Sequence, residues 1–322
     1  MFMTSSAAVQ SFDFGMDTEI IHTIYGRHAK AALKAVRVEA KRLESLLSCF
    51  LPDSEISRIN HYAGRNFVKL STDTYKVLNW ASIFSACSGG LFDITIGPLV
   101  NLWDFRLNTI VPAEEKIHKL MDLVNHADLS INERNKTALL KKQGQSVNLG
   151  GIGKGYASDK MLEILRSFNI SSAYINLGGN VAVLGTKPDC TSWRVGIQHP
   201  RMDDRLLGVV TVTDQSVVTS GDYQRYFLDP TGRRYHHLLN PITGYPADSG
   251  LISVTIVSDS GITADGLSTA IFVSGLEKGL HILKCFPGTE AILVDANLTV
   301  YVTYGLKDRF YPDANIQTQI IA

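Results

Sequence analysis

Val147-Asn148-Leu149-Gly150-Gly151-Ile152-Gly153-Lys154-Gly155-Tyr156 is the stretch on which the fold turns. Four glycines in six positions follow a short apolar segment and lead into a helical pattern, Ala157 to Phe168. Glycine adopts positive φ without cost and lets backbone approach a ligand closely. The helix beyond it offers free N–H groups to an anion, and Lys154 adds a positive charge at the same place. The order strand, glycine turn, lysine, helix predicts a nucleotide or dinucleotide guest. It also fits a plain turn at which a helix packs closely on a strand. The spacing matches neither the Walker loop, Gly-x-x-x-x-Gly-Lys-Ser/Thr, nor the dinucleotide fingerprint, Gly-x-Gly-x-x-Gly.

Upstream of this loop the pattern is helical and polar. Leu33, Val36, Ala40, Leu43 and Leu47 keep the three-and-four spacing of an amphipathic helix over His28–Leu47, ended by the loop Ser48–Ser54 with Pro52. A second helix is predicted over Thr72–Ser88, capped by Ser71 or Thr72 and stopped by Gly89-Gly90. Phe92–Trp103 reads as an apolar loop, and Ala113–Asn125 as a short helix followed by a turn near Asn132–Asn135. Downstream the chain changes to short β-branched runs: Ala173–Asn176, Val181–Leu184, Trp193–Gln198, Leu207–Thr213, Ser216–Thr219 and Leu251–Ser258. Helices over Thr263–Val273 and Leu276–Cys285 and strands Ala291–Val294 and Leu298–Thr303 complete it. The fold class is α+β, helices packed on mixed sheet.

Composition excludes several classes. The 322 residues are 45% hydrophobic and 19% charged, ordinary for a globular chain, with 31 basic residues against 31 acidic ones. Zero net charge gives no field for nucleic acid or an anionic membrane. No apolar run reaches the roughly 18 residues of a membrane span. Cys49, Cys87, Cys190 and Cys285 lack metal spacing and read as reduced structural thiols.

Five further segments carry more glycine, acid and hydroxyl than a core needs: Leu91–Trp103, Asn176–Asn180, Thr219–Tyr226, His236–Pro246 and Thr263–Thr269. On a helix Asp265 and Thr269, four apart, face the same way. Together they offer hard oxygen ligands that suit Mg²⁺. Alternatively Asp265 caps its helix and Thr269 bonds back to its own turn. His237 is either a titratable group near working pH or a turn histidine bonded to backbone. Phe50 and Phe92 fit a cofactor pocket or a core.

In order along the chain these motifs read Phe-Asp-x-Thr-x-Gly-Pro-Leu-Val-Asn-Leu-Trp, Leu-Gly-Gly-Ile-x-Lys-Gly-Tyr, Gly-Gly, Thr-Ser-Gly-Asp-Tyr, His-x-x-Asn-Pro-x-Thr-Gly-x-Pro and Ala-Asp-x-x-x-Thr. As a set they resemble the ApbE family, the FAD:protein FMN transferases, over about Phe12 to Tyr304. The resemblance implies an ApbE-like, T-fold-like architecture with an FAD cleft between two intimate halves. It implies one flavin-transferase domain over 1–322, with a core at 11–304 and an unstructured lead at 1–10. The implied reaction cleaves the FAD pyrophosphate, transfers FMN through its phosphate to a Thr or Ser in a short motif of a partner flavoprotein, and releases AMP. By the same resemblance Asp265 and Thr269 hold Mg²⁺, or Mn²⁺ or Ca²⁺ in its place, with the Gly151 carbonyl and Ser268 beside them. His237 is the general base. Met16, Phe50, Leu91, Phe92, Asp93, Asn148 and Lys154 surround FAD, while Asp222 and Arg225 support the site or the partner surface.

Three positions depart from the family pattern. Asp17 replaces a glycine in Met-Gly-Thr and puts a charge near phosphates, and Asn148 stands where Asp is usual. Asn240 for Asp is milder. Two other activities fit the same residues: a metal-dependent FAD pyrophosphatase and a non-catalytic flavin-binding protein. With no leader or lipid-anchor Cys visible, the chain is expected in the cytoplasm, or at the periplasmic membrane if a leader has been removed.

Overall fold

A computed structural model describes residues 8–321. It opens with a hairpin, β1 (Val9–Gly15) and β2 (Thr18–Tyr25), that feeds α1 (Ala29–Leu47) and α2 (Glu55–His61). There follow β3 (Val68–Lys69), α3 (Thr72–Cys87), α4 (Gly97–Trp103), α5 (Glu114–Met121), β4 (Leu129–Asn132) and β5 (Thr137–Leu140). The glycine loop then leads to α6 (Gly153–Ser167), β6 (Ser172–Leu177), β7 (Asn180–Leu184), β8 (Trp193–Gln198) and β9 (Leu206–Val212). Next come β10 (Ser216–Gly221), β11 (Tyr226–Leu228), β12 (Arg234–His236), β13 (Leu251–Ser258), α7 (Gly261–Ser274) and α8 (Leu276–Leu283). The chain closes with β14 (Glu290–Asp295), β15 (Val300–Thr303), β16 (Phe310–Pro312) and β17 (Thr318–Ile321).

The fold is α+β. Its spine is a nine-stranded sheet in the order β1-β2-β6-β7-β10-β13-β14-β15-β17, antiparallel except for the parallel pair β15–β17. Successive residues point to opposite faces of a strand, and here both faces are buried. On β7, Ala182 and Leu184 join the core shared with α1, α3, α6 and α7. Val181 and Val183 join a second core, with Trp193, Val195, Val210 and Phe310 of the small sheet β16-β9-β8. Strand β14 divides in the same way, Ala291 and Leu293 against Ile292 and Val294. Strands covered on both sides tend to be continuously apolar, which is how Val181–Leu184 of β7 and Ala291–Val294 of β14 read, whereas β13 buries Ser253 and Thr255 among its apolar residues.

Helix signals hold where they are local. The Ser71 hydroxyl accepts from the Thr74 N–H at 3.2 Å at the start of α3, and Gly89 and Gly90 (φ 62° and 84°) end it. Several expectations are corrected. Residues 97–103, read as loop, form α4 with Pro98 in its first turn, where a missing N–H costs nothing. The apolar segment before the glycine loop is not a sheet strand; it makes one isolated bridge, Ile96 with Ser146. Of the expected unstructured lead, residues 1–7 lie outside the described residues, while Val9 and Gln10 pair with Ile24 and Thr23. Beyond 304, β16 and β17 extend both sheets. Among the described residues no helix is long and apolar enough to cross a membrane. All four cysteines are free.

His22 on β2 gives the molecule an acid weakness. It is 1% exposed, its Nδ1 lies 3.1 Å from Ser11 Oγ, and its Nε2 has no partner. Burial pushes its pKa down to about 4, with Asp13 opposing and Arg37 assisting. Because the folded pKa lies below the unfolded value of about 6.5, the unfolded state binds the proton first. The stability contribution is therefore whole above pH 6.5 and lost as pH falls through 4, about 2 kcal/mol of it by pH 5. Urea unfolding at pH 7.5 and pH 5 should show that loss, and His22→Gln should shrink the difference by the same amount. An undiminished pH dependence in the variant would remove His22 as its source.

Candidate active site

No glycine of the 150–155 loop adopts positive φ. What they supply is room. A Cβ on Gly155 would sit 2.1 Å from the Gly261 carbonyl oxygen and 2.6 Å from Asp265 Cβ. One on Gly151 would sit 3.0 Å from Thr269 Oγ1 and 3.4 Å from the Phe92 ring. The loop lets α6 cross α7 with their backbones in contact, so the packing alternative is realised against a helix rather than a strand. One helix N–H expected to face an anion is also spoken for: Gly155 donates to Asp265 Oδ2 at 2.8 Å. A continued helix would have sent that N–H to the Gly151 carbonyl, which therefore accepts no backbone hydrogen bond among the described residues.

Asp265 is 4% exposed and sits inside α7, whose N-terminus is capped by Ser260 Oγ accepting from Thr263 N–H at 3.3 Å. It is not the cap of its own helix. Its Oδ1 has no protein hydrogen bond among the described residues, and Thr269, one turn on, does not bond back to its turn but lies 3.3 Å from Ser220 Oγ. The Ser268 hydroxyl donates to the Asp265 carbonyl and meets Ser220 Oγ, both at 2.9 Å; it braces the turn. A carboxylate oxygen, a released carbonyl and a hydroxyl thus stand on facing segments. Among the described residues no three His, Cys, Asp or Glu side chains gather to hold a metal. This donor set fits a hard, oxygen-bound cation such as Mg²⁺.

A ring of contacts continues from this pair. Lys154 reaches back to the Gly150 carbonyl at 3.2 Å. Asn148 Oδ1 accepts from Gly150 N–H at 2.9 Å, and its Nδ2 points at Cys49 Sγ, 3.7 Å away. An aspartate could make the first contact but not donate the second. Next to Cys49, Phe50 is exposed, with the Arg106 guanidinium 4.2 Å above its ring. Arg106 pairs with Asp17 at 3.1 Å, and Asp17 with Arg225 at 3.5 Å. Met16 and Asp17 turn the β1–β2 hairpin with φ of 52° and 63°, left-handed values that glycine adopts freely. The carboxylate that replaces that glycine is neutralised by two guanidiniums.

His237 follows Arg225 in the ring. Its Nδ1 lies 3.3 Å from the Arg225 carbonyl, a group that only accepts, so Nδ1 carries the hydrogen and Nε2 the lone pair. Burial first, then the charges of His236 and Arg225 and, more weakly, Lys154, push its pKa down to about 3. The half-buried imidazole is neutral across the physiological range. On the inner wall, Phe92 packs edge-on to Phe84 at 5.6 Å and belongs to the core while bordering Gly151. Leu91 is half-buried beside it. Asp93 Oδ1 accepts from both Thr95 N–H and Thr95 Oγ1 at 2.7 Å, and burial raises its pKa.

Asp222 lies apart. It holds Arg201 in a bidentate pair at 2.7 and 2.8 Å and lines, with His236, a separate concavity of about 220 Å³. Arg106, Ser220 and Asp159 are polar neighbours that sequence reading passed over. Ser220 lies within the Thr219–Tyr226 segment and Asp159 four residues after Gly155, whereas Arg106 sits in a stretch with no pattern.

The family model described as the ApbE family matches residues 16–293. The FAD:protein FMN transferase of Klebsiella pneumoniae (strain 342) is 35% identical over 299 residues, 92% of each chain. The crystal structure of the ApbE protein from Thermotoga maritima superposes with a TM-score of 0.85 at 31% identity, covering 94% of this chain and 99% of that one. The flavin transferase ApbE from Vibrio cholerae gives the same TM-score and coverage at 26% identity.

Proposed function

The chain belongs to the ApbE family, and from that membership we propose that it is an FAD:protein FMN transferase, acting as one domain on a Thr or Ser hydroxyl of a partner flavoprotein and releasing AMP. The acceptor oxygen bonds to the FMN phosphorus as the bond from that phosphorus to the bridging pyrophosphate oxygen breaks. AMP departs with that oxygen. The observation that carries this reading is that the Gly150–Gly155 loop brings Gly151 beside Thr269 and bonds Asp265 through the Gly155 N–H, while its Lys154 lies near enough for its charge to act on a neutral His237.

His237 Nε2 takes the proton of the attacking hydroxyl, a transfer helped by an imidazole that is already unprotonated. Lys154 places a positive charge by the pyrophosphate and leaves its Gly150 contact to do so. Gly151, Asp265 and Thr269 would hold Mg²⁺, which when bound neutralises pyrophosphate charge and favours attack at phosphorus. Phe50 offers a ring for an aromatic part of FAD, and Met16, Leu91, Phe92, Asp93 and Asn148 shape the wall.

The test is to incubate the protein with FAD, Mg²⁺ and a flavoprotein fragment carrying an acceptor threonine, and to record the fragment's intact mass with and without chelator. A gain of one FMN phosphoryl unit, absent with chelator, is the expected result. Free FMN and AMP with no mass gain would mean hydrolysis instead. Tight FAD binding without either product across a panel of acceptors would mean a binding protein.

A further inference from the structure

Three pairs tie α6 and its leading loop to α7, each four residues from the last on both strands of chain. Gly151 meets Thr269, its Cβ position 3.0 Å from Thr269 Oγ1. Gly155 donates to Asp265 at 2.8 Å. Asp159, one turn further, accepts from Gly261 N–H at 2.6 Å and Ile262 N–H at 3.0 Å, and its Oδ2 lies 3.3 Å from the Ser260 hydroxyl. The exchange is reciprocal: α6 gives an N–H to a carboxylate of α7 and takes, through Asp159, the N–H groups of the first turn of α7. One contact between crossing helices fixes a distance but leaves the angle free to swing. Two fix both.

From this ladder, and resting on the reading of Gly151, Asp265 and Thr269 as metal donors, we propose that Asp159 is a positioning residue for the metal site. It never touches the cation. By pinning the far rung it sets the angle at which α6 and α7 cross, and so holds the Gly151 carbonyl against Asp265 and Thr269. The pin acts at backbone contact, since a Cβ on Gly261 would lie 2.6 Å from the Gly155 carbonyl oxygen and 2.9 Å from Asp159 Oδ1. Groups that orient metal ligands without touching the metal typically change affinity about 10–100-fold.

The experiment titrates Mn²⁺ into the full-length protein with FAD bound, by electron paramagnetic resonance, and separately measures turnover against Mg²⁺ concentration. Asp159→Ala should weaken Mn²⁺ binding about 10–100-fold and raise the half-saturating Mg²⁺ by a similar factor, with kcat recovering at saturating metal. Asp159→Asn, which keeps one accepting oxygen, should fall between. Val210→Ala, in the core of the small sheet, controls for general loss of stability and should leave Mn²⁺ affinity unchanged. Wild-type Mn²⁺ affinity in a folded Asp159→Ala, or in Asp159→Asn if the alanine variant does not fold, overturns the proposal, as does an equal weakening in Val210→Ala. If the wild-type protein itself binds no Mn²⁺, the metal reading falls and this inference with it.

Discussion

Asp265→Asn is expected to stay folded and lose Mg²⁺-dependent FMN transfer by about a thousandfold or more, since charge stabilisation is the main catalytic resource in phosphoryl transfer. The amide oxygen can still accept the Gly155 N–H, whose bond at 2.8 Å ties α6 to α7. Asp265→Ala removes charge and acceptor together and strands that N–H in a buried site, at a further cost of about 1–3 kcal/mol of stability. The pair of variants therefore separates two duties of one side chain. Thermal unfolding reports the hydrogen bond and the mass-gain assay reports the charge. Full transfer activity in the asparagine variant would remove Asp265 from the metal site, however stable the protein.

His237→Ala is expected to bind FAD with near wild-type affinity and to lose about 10²–10⁴-fold in transfer rate, the range of a lost general base. The low pKa of His237 sharpens this. Because burial and neighbouring positive charge hold it at about 3, the base stays unprotonated from neutrality down to about pH 4. Its own titration then removes no activity between pH 7.5 and pH 5.5 in the free enzyme. A kcat/KM profile that falls with an apparent pKa near 6.5 and is abolished in His237→Ala would show an exposed, ordinary histidine instead. Loss of FAD binding in His237→Ala, measured by flavin fluorescence, would assign the residue to structure rather than proton transfer.

Much of the candidate site was legible as motifs because those motifs are local. The glycine loop, Ala264-Asp265 through Thr269 and the His236–Pro246 segment each announce a turn or a helix face within ten residues or so, and the resemblance to one family emerges from their order. The β1–β2 hairpin was not legible. Gln10, Phe12 and Phe14 alternate with Ser11 and Asp13, but the exposed set is the aromatic one, the reverse of the usual polar-out signal. Helix α4 was masked by Gly97-Pro98, a turn signature that here opens a helix. The charge on Asp17 looked like a liability because Arg106 and Arg225 stand 89 and 208 residues away in sequence.

The sequence alone determined the α+β class, the amphipathic face of α1, the cap and stop of α3 and the family, since each rests on spacing within a short window. The tertiary structure alone decided what each polar group does. It sends the Gly155 N–H to a carboxylate 110 residues away, frees the Gly151 carbonyl, and surrounds His237 with burial and positive charge. The physical reason is that hydrogen-bond partners and desolvation depend on which distant segments are packed together. Periodicity says which face of a helix is buried, but not which backbone will lie against it.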